Sequence, residues 1–577
     1  MMKLIKIFKP YALWIVVIFG LLFVQAMTDL ALPDYMSNIV NNGITAGDTG
    51  YILAEGGKML LVALLGALCT IAVGYLSARL AAGTARNLRH DIFRKVEGFS
   101  NAEFDHFSTA SLITRTTNDI QQIQMLSVMA LRFVFYAPIM GIGGVVKAIG
   151  KSANLSWIIA VAVLVVIGLV LVIFALSVPR FKRVQKLVDK LNLVTRESLT
   201  GMMVIRAFNT QKREEERFDE VNRDLTKTNL FVNRIMVFMM PAMMLIMNGV
   251  QLLIIWIGAG QVDMGSIQVG DMMAFMQYAM QIIMSFLMIS VMFIMLPRAS
   301  VSAERINEVL TTEPVINDKA APSHFPQNFK GVVEFKNVSF AYPKADEPAL
   351  KNISFTAKPG ETTAFIGSTG SGKSTLVNLI VRFYDVTEGQ ILIDGVDIRD
   401  VSQHELREKI GFVPQKGVLF SGTIKSNLRY SRENAPDDEL QKAAQIAQAA
   451  DFIEDKEAGY DSEIAQGGGN VSGGQKQRLS IARALVKRAP IYIFDDSFSA
   501  LDFKTDAALR RALKQETGQS TMLIVAQRIS TIMGAEQIIV LDDGNVAGIG
   551  THKELLKNYA VYREIAQSQL SEKELEA

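Results

Sequence analysis

The chain has 577 residues, which is too long for one ordinary domain. Half of its residues are hydrophobic while 20% are charged, and this combination predicts a membrane part joined to a soluble part. The formal net charge is only +2, which gives no reason to expect a nucleic-acid partner. The single cysteine, Cys69, excludes an internal disulfide.

Six largely uncharged stretches reach the length of about 20 residues that crossing a membrane requires. The basic start and first apolar run resemble a signal peptide, but the run is long enough to span and no cleavage site ends it, so we expect a retained helix. The third stretch is the weakest, because only 14 uncharged residues separate Arg132 from Lys147. The six stretches are residues 11–32, 59–78, 133–150, 155–178, 235–260 and 272–296.

Two long polar connections, residues 79–132 and 180–234, keep helical periodicity between the spans. Together with residues 3–9 they contain 23 lysines and arginines, whereas the opposite loops contain only Lys58, Lys147 and Lys151. The positive-inside rule therefore predicts that both termini and both long connections are cytoplasmic.

The character of the chain changes after the sixth stretch. Residues 312–330 contain three prolines and predict a linker. Short strand-like runs then alternate with helical ones, as in an α/β nucleotide-binding domain. We therefore expect a membrane domain at residues 1–311 and a cassette at 331–577, whose polar tail SEKELEA (571–577) frays.

The run GSTGSGKST fits the phosphate-loop pattern G-x-x-x-x-G-K-[ST]. It follows the strand-like ETTAFI and precedes a helix-like run, a context that argues against a chance glycine-rich loop. Lys373 is expected to reach the terminal phosphates, and the Ser374 hydroxyl to ligate magnesium. Asp495, which ends the later strand IYIFD, can ligate the same ion. The predicted nucleotide-binding residues of the loop are Gly367, Ser368, Thr369, Gly370, Ser371, Gly372, Lys373, Ser374 and Thr375.

The remaining motifs resemble those of ATP-binding cassette (ABC) transporters. VSGGQKQRLSIARAL resembles the family signature and precedes IYIFDD at the spacing that the family shows. Gln415 in VPQ resembles the Q-loop glutamine, which implies a catalytic and magnesium-ligating role. Asp502 ends SALD, which resembles the D-loop, and Tyr342 in FAYP resembles the aromatic that stacks on adenine. The signature residues are Ser472, Gly473, Gly474 and Gln475.

Six spans fused to one cassette form the layout of an ABC exporter half-transporter, so the resemblance covers nearly the whole chain. It implies ATP and Mg²⁺ as cofactors, hydrolysis coupled to transport, and a place in the bacterial cell membrane. It also implies that two cassettes pair head to tail, with each ATP between the phosphate loop of one and the signature of the other. Coupling helices are expected near residues 104–111 and 196–208, with ordinary solvated helix as the alternative.

Two positions depart from the family pattern. Where the family has a glutamate after the magnesium aspartate, this chain has Asp496, whose shorter side chain would align the attacking water poorly. The family's switch histidine should precede Arg528, and Gln527 stands there. The pattern resembles the degenerate-site subunit of heterodimeric bacterial ABC exporters, which implies a homologous partner carrying the glutamate and the histidine. A homodimer with two slow sites is the alternative.

The spans give only a general indication of the substrate. We expect no charged side chain inside spans one, two, five or six, and hence no buried counter-ion for a strongly charged substrate. Methionines, which adapt to varied shapes, recur through spans five and six. They cannot all face one cavity, because a four-residue step drifts around a helix. Amphipathic drugs or lipid-like molecules are favoured, peptides are the runner-up, and a cassette-bearing sensor or gated channel would use the same motifs. The methionines lie at positions 236, 239, 240, 243, 244, 247, 272, 276, 280, 284, 288 and 292.

Overall fold

A computed structural model describes residues 6–343 and 345–570 of the chain. It divides into two compact units, one formed by Met1–Glu97 and Thr109–Thr312 and the other by Gly98–Ser108 and Glu313–Ala577. The tail predicted to fray, residues 571–577, lies outside the described residues. The domain limits expected from the sequence stay a prediction.

The first unit is helical, and six of its described helical segments are long and apolar enough to cross a membrane. The six-span prediction is therefore confirmed, the weak third span included. Short 3₁₀ or π-helical segments adjoin several helices, at Lys6–Tyr11, Ile39–Ile44, Arg115–Asp119 and Ala153–Leu155. The α-helices of this unit are α1 (Ala12–Asn38), α2 (Thr49–Glu97), α4 (Thr109–Thr114), α5 (Ile120–Lys151), α6 (Ser156–Thr200), α7 (Met202–Ala207), α8 (Gln211–Asp263) and α9 (Val269–Thr311), and α3 (Asn101–Phe107) belongs to the second unit.

The long polar connections are mostly extensions of the spanning helices. Helix α2 has 49 residues without a break. At 1.5 Å per residue it is about 70 Å long, more than twice the roughly 30 Å of a bilayer's hydrocarbon. The spanning helices must therefore project well beyond the membrane.

Small residues let helix α5 pack closely against two neighbours. A Cβ atom at Gly143 would lie 2.4 Å from Leu30 Cδ1 on α1, and one at Gly144 would lie 2.8 Å from Ile282 Cγ1 on α9. Close backbone approach through glycine is a common means of helix association in membranes. The buried cluster around this contact includes Ala26, Leu30, Met140, Phe275, Tyr278 and Ile282.

Two lysines at the end of the third span are paired with carboxylates on neighbouring helices. Lys147 Nζ lies 2.7 Å from Asp34 Oδ2, and Lys151 Nζ lies 2.9 Å from Asp271 Oδ1. The charges therefore compensate one another at the end of α5, which runs without a break from Ile120 to Lys151.

The expectation of no charged side chain inside span one is wrong. Asp29 lies within residues 11–32 and is partly buried. Its Oδ2 accepts a hydrogen bond of 2.7 Å from the Tyr136 hydroxyl on α5. One carboxylate hardly changes the apolar character of so long a stretch, which is why the expectation missed Asp29. The tyrosine that satisfies this carboxylate is distant in sequence.

The second unit contains α3 and an α/β fold with a four-stranded antiparallel sheet and a six-stranded, mainly parallel sheet. Its strands are β1 (Val333–Phe340), β2 (Leu350–Ala357), β3 (Thr362–Gly367), β4 (Glu388–Ile393), β5 (Val396–Asp397), β6 (Ile410–Val413), β7 (Gly422–Thr423), β8 (Glu463–Ile464), β9 (Ile491–Asp495), β10 (Thr521–Val525), β11 (Gln537–Asp542) and β12 (Asn545–Gly550). Its other helices are α10 (Lys373–Ile380), α11 (Gln403–Glu408), α12 (Ile424–Arg429), α13 (Asp437–Ile446), α14 (Ala450–Glu454), α15 (Gly473–Val486), α16 (Phe503–Glu516), α17 (Ile529–Ile532), α18 (His552–Asn558) and α19 (Ala560–Gln567).

The strand order of the small sheet is β2-β1-β4-β5, and that of the large sheet is β12-β11-β3-β10-β9-β6. In the large sheet every pairing is parallel except that of the edge strand β12. Alternate residues enter two separate cores, as Ile493 and Leu523 do on one face and Phe494 and Ile524 on the other. Burial on both faces is the reason that these strands are continuous apolar runs.

Candidate nucleotide site

Four predicted motifs meet at one edge of the large sheet. Strands β3, β10, β9 and β6 are consecutive neighbours and parallel, so their carboxyl ends share an edge. The phosphate loop follows β3, Gln527 lies just after β10, Asp495 ends β9 and Gln415 lies just after β6. Ligands of open α/β sheets bind at this carboxyl edge.

The phosphate loop requires glycine at its turns. Gly370 and Gly372 have φ values of +88° and +95°, a region that other residues occupy only with strain. A Cβ atom at Gly372 would also lie 2.6 Å from Leu350 Cδ2. Helix α10 begins directly after this residue, so its free backbone N–H groups adjoin the loop. This arrangement fits the phosphates of ATP.

Lys373 is bound to the loop that it follows. Its Nζ donates hydrogen bonds to the carbonyl oxygens of Gly367 and Ser368, at 2.8 and 2.6 Å. Burial lowers the pKa of Lys373, and the nearby Asp496 and Asp495 oppose this shift. The lysine thus brings positive charge to the loop, where it can meet the phosphates.

Ser374 and Asp495 supply two oxygen ligands of the kind that magnesium prefers. The Ser374 hydroxyl donates a hydrogen bond of 2.8 Å to Asp495 Oδ1. Asp495 is 4% exposed, and burial raises the pKa of its carboxyl group. Mg²⁺ is usually held by one or two protein oxygens together with phosphates, so these residues fit the ion, which would neutralise charge on the phosphates.

Asp496 is tied to both glutamines that the sequence singled out. Its Oδ2 accepts hydrogen bonds from Gln527 Nε2 at 2.7 Å and from Gln415 Nε2 at 3.3 Å. Burial raises the pKa of Asp496, while these bonds lower it. Because the acceptor is a carboxylate, the nitrogen of each amide must face it. The structure therefore brings Asp496, Gln415 and Gln527 together, and the role of Gln415 as a magnesium ligand stays a prediction.

The Tyr342 side chain contacts the first turn of helix α10. Its hydroxyl is 2.9 Å from Thr375 Oγ1. Its ring packs edge-on against Tyr384, with 5.3 Å between the ring centroids. The aromatic expected to stack on adenine is thereby fixed beside the phosphate loop.

The signature residues form the exposed start of helix α15. Ser472 is the N-cap: its Oγ accepts a bond of 3.3 Å from Gln475 N, and its own N–H donates to Gln475 Oε1 at 3.0 Å. Ser472 and Gly473 are exposed, and a Cβ atom at Gly474 would lie 3.3 Å from Ala500 O. The capping box makes a rigid helix start that faces outward.

The D-loop is held by a residue that the sequence reading did not select. Arg528 donates to the carbonyl oxygens of Ser499 and Leu501, at 3.0 and 3.2 Å. Asp502 caps helix α16 by accepting a bond of 2.9 Å from Thr505 N, and this bond lowers the pKa of Asp502. Arg528 directly follows Gln527 and therefore links the switch position to the D-loop. Its acceptors are backbone carbonyls, which leave no signal in the sequence.

Helix α3 overlaps the first expected coupling helix and bonds to the cassette within the second unit. Tyr384 donates a bond of 3.2 Å to Asp105 Oδ2, and Val315 N donates to Glu103 Oε1 at 3.1 Å. Burial raises the pKa of Tyr384 to about 12, and Asp105 adds to the shift. Tyr384 was also missed by the sequence reading, because no phosphate or metal chemistry marks it. Helix α7 lies within the second expected stretch, residues 196–208, and forms six of its residues.

Comparison with known proteins decides the family. Residues 15–286 match the ABC transporter transmembrane region, and residues 350–499 match the ABC transporter family. An ABC transporter ATP-binding protein of Mycobacterium tuberculosis is 42% identical over 566 residues, which cover 97% of each chain. The chain is an ABC exporter half-transporter. The predicted fold class and the assignment to ATP-hydrolysing transport are confirmed.

Other relatives of the half-transporter have more specific names. An ATP-dependent lipid A-core flippase of Hahella chejuensis is 31% identical, covering 99% of this chain and 97% of that protein. A fatty acid ABC transporter ATP-binding/permease protein of Mycobacterium bovis is 33% identical, covering 84% and 76%. A solved bacterial Atm1-family ABC exporter with ATP bound has a TM-score of 0.80 at 27% identity, covering 97% and 98%. The half-transporter is a multi-pass bacterial membrane protein.

Proposed function

We propose that the half-transporter is the slow-site subunit of a heterodimeric exporter that moves amphipathic or hydrophobic compounds across the bacterial cell membrane. The observation that carries this proposal is the 2.7 Å hydrogen bond from Gln527 Nε2 to Asp496 Oδ2. It joins the two departures from the family pattern in one local arrangement.

This arrangement is unfavourable for activating water. A general base must lie within hydrogen-bond reach of the water, and aspartate falls short of glutamate by about 1.5 Å, one C–C bond. Asp496 Oδ2 already accepts from Gln527 and Gln415. Glutamine also lacks the imidazole of the family's switch histidine. ATP at this site is therefore retained and turned over slowly.

The chain contributes to two different sites in the proposed heterodimer. Lys373, Ser374 and Asp495 hold ATP and magnesium at the slow site. Ser472 and Gly473, exposed at the start of α15, complete the partner's fast site. An intact signature beside an altered base position supports this division over a homodimer with two slow sites.

A partner cassette also accounts for apolar surface on helix α7 and the residue that follows it. Met203 is 83% exposed, Val204 60% and Phe208 75%. An apolar patch at a helix end that projects beyond the span suits docking on another protein. We propose residues 1–311 as the membrane domain, 312–330 as the linker and 331–577 as the cassette, with the cassette and both termini in the cytoplasm.

Lipid-like character is the substrate property that the comparisons favour. Two relatives are named for lipid A-core and for fatty acids, and both of these molecules combine long apolar chains with a polar group. Amphipathic drugs share that character, so multidrug export and lipid export place the same demand on the membrane domain. The similarity gives no comparable support to peptides.

The test compares the purified chain alone with the chain co-purified with the half-transporter from a neighbouring reading frame. Alone, the chain should bind ATP and hydrolyse it slowly, because any homodimer carries two Asp496/Gln527 sites. The complex should turn over faster by about 10²-fold or more, the usual contribution of a general base. Lys373→Ala in the isolated chain is the control that should weaken this ATP binding. Fast hydrolysis by the isolated chain would contradict the proposal.

A further inference from the structure

Asp29 is an unusual group at its depth in the membrane unit. Ser37, eight residues further along the helix, accepts a bond of 3.3 Å from Lys151, and Lys151 pairs with Asp271. Eight residues of helix span about 12 Å, so Asp29 lies about 12 Å deeper than this ionic group. A carboxylate inside a span is costly, and such residues commonly mark a functional site.

The carboxylate of Asp29 is only half satisfied. Oδ2 accepts the bond from Tyr136, but no described lysine or arginine lies within ion-pair distance of Asp29, and no described residue donates a hydrogen bond to its Oδ1. A Cβ atom at Gly66 on α2 would lie 3.6 Å from this Oδ1. The same Cβ atom would lie 2.9 Å from Thr28 Oγ1, so the glycine lets α2 approach α1 closely beside this oxygen.

A second unsatisfied acceptor lies next to Asp29. Gln281 on α9 donates from Nε2 to the Asp29 carbonyl oxygen at 3.1 Å, while its Oε1 is buried and has no hydrogen-bond partner among the residues that the structure describes. The Gln281 amide is thereby hydrogen-bonded to the main chain of the residue whose carboxylate has an unsatisfied oxygen. Within the described part of the chain, Asp29 Oδ1 and Gln281 Oε1 thus lack a donor, and the Asp29 carboxylate lacks a cation.

We propose that Asp29 and Gln281 form a binding subsite for the protonated amine of an amphipathic substrate, with Tyr136 orienting the carboxylate. An ammonium group supplies both missing elements, positive charge and up to three N–H donors. This inference rests on the proposed export of amphipathic compounds and specifies one substrate class.

The test measures binding of two matched fluorescent probes to the full-length chain in lipid nanodiscs without nucleotide. Dansylcadaverine carries a primary ammonium group, and its N-acetyl derivative is neutral and otherwise alike. The chain should prefer the ammonium probe, and Asp29→Asn should remove about 10- to 100-fold of its affinity, as for hydrogen bonds to charged groups. The same change should alter binding of the acetylated probe by less than about 3-fold.

Three further variants separate binding from structural support. Asp29→Glu retains the charge and should retain the preference for the ammonium probe. Gln281→Met should weaken binding of the ammonium probe but not of the acetylated probe. Asp34→Asn, which removes a carboxylate paired with Lys147, is the control and should leave the preference unchanged. Folding of each variant is checked by its thermal melting profile.

Each contrary outcome has a distinct meaning. Equal binding of the two probes to the parent chain would overturn the subsite and leave amphipathic export intact. Equal weakening of both probes by Asp29→Asn would show that the carboxylate only holds the helices together, which overturns the subsite as well. Binding of neither probe would contradict both the subsite and the proposed amphipathic substrate.

Discussion

Asp496 has a backbone φ of +47°, a left-handed conformation in which short polar residues such as aspartate are comparatively well tolerated. Its carbonyl oxygen accepts a bond of 2.9 Å from the Ser499 hydroxyl, and its side chain accepts from two amides. The residue is thus fixed on both its main chain and its side chain. At the scale of single residues, the slow site is an ordered arrangement with its own bonding partners.

Repairing this site requires more than one residue. Asp496→Glu should return a carboxylate to the reach of the water, and a complete general base contributes on the order of 10²- to 10⁴-fold. We expect a much smaller gain, because Gln527 still replaces the histidine. The double change Asp496→Glu with Gln527→His should exceed the sum of the single gains, as for residues that act together. The measurement is the ATPase rate of the heterodimer.

A faster slow site need not improve export. If this site holds the cassettes together between cycles, the double variant should consume more ATP for each substrate molecule that it moves. Transport and hydrolysis are measured together in proteoliposomes. A rise in transport at an unchanged ratio would count against a holding role.

Helix α15 illustrates how one element serves two structural tasks. Ser472, the residue just before it, caps the helix, and the exposed Ser472 and Gly473 are expected to meet the partner's ATP. Helix α3 has a comparable double character, since it lies between two long helices in sequence yet groups with the cassette. At the scale of elements, function depends on which helix ends and loops are available to another surface.

Ser472→Arg should reduce turnover of the heterodimer by at least about 10²-fold, because it blocks the signature that completes the fast site. Lys373→Ala should reduce ATP retention at the slow site while leaving measurable hydrolysis. Ser402→Arg is a matched control, since Ser402 also caps a helix, α11, through its Oγ. The Ser402→Arg variant loses a helix cap that contributes about 1 kcal/mol to stability, and its heterodimer should keep its ATP turnover. A greater loss from Lys373→Ala than from Ser472→Arg would reverse the assignment of sites.

Tyr384 connects helix α3 to the adenine aromatic, because its hydroxyl bonds Asp105 and its ring packs against Tyr342. Tyr384→Phe keeps the ring packing and removes the hydrogen bond. ATP affinity should change by less than about 2-fold, because the ring packing is kept. ATP consumed per substrate should rise, because the lost bond is to a carboxylate, and such bonds contribute about 1.5–3 kcal/mol. Tyr430→Phe, at a tyrosine stacked on Phe420, is the control. An unchanged ratio for Tyr384→Phe would remove this bond from the coupling route.

At the scale of the whole molecule, the membrane unit divides its methionines between packing and exposed surface. Met243 is buried, and Met272 and Met276 pack against the buried cluster. Met284 is 39% exposed and Met240 is 65% exposed. This division agrees with the expectation that the methionine ridge winds around its helix, and it separates candidates for substrate contact from packing residues.

Replacing Met280, Met284 and Met288 by leucine conserves volume approximately, so folding should survive at less than about 1.5 kcal/mol per site. If these residues contact substrates, ATP-dependent uptake of differently shaped dyes into inside-out vesicles should shift while basal ATPase activity stays constant. Met272→Leu with Met276→Leu, at packing positions, is the control and should leave the dye profile unchanged. If both variants kept the dye profile of the parent chain, all five methionines would be assigned to packing. Dye uptake without ATP would favour a channel over a pump.

The sequence by itself determined the six spans, the order of the cassette motifs and the two departures at Asp496 and Gln527. These features are local: membrane crossing depends on the length of one apolar run, and phosphate binding depends on glycines and a lysine within one loop. The parallel sheet was also foreseeable, because strands buried on both faces are continuous apolar runs.

The tertiary structure alone decided which side chains satisfy one another. The bond between Asp29 and Tyr136 joins residues 107 positions apart, and that between Tyr384 and Asp105 joins residues 279 apart. Arg528 bonds backbone carbonyls, which every residue type possesses. Such partners cannot be read from one sequence, because helix packing and strand order bring them together and neither is encoded by a local pattern. The carboxylate of Asp29 can be read directly from the sequence, but the tyrosine that satisfies it is brought there only by helix packing.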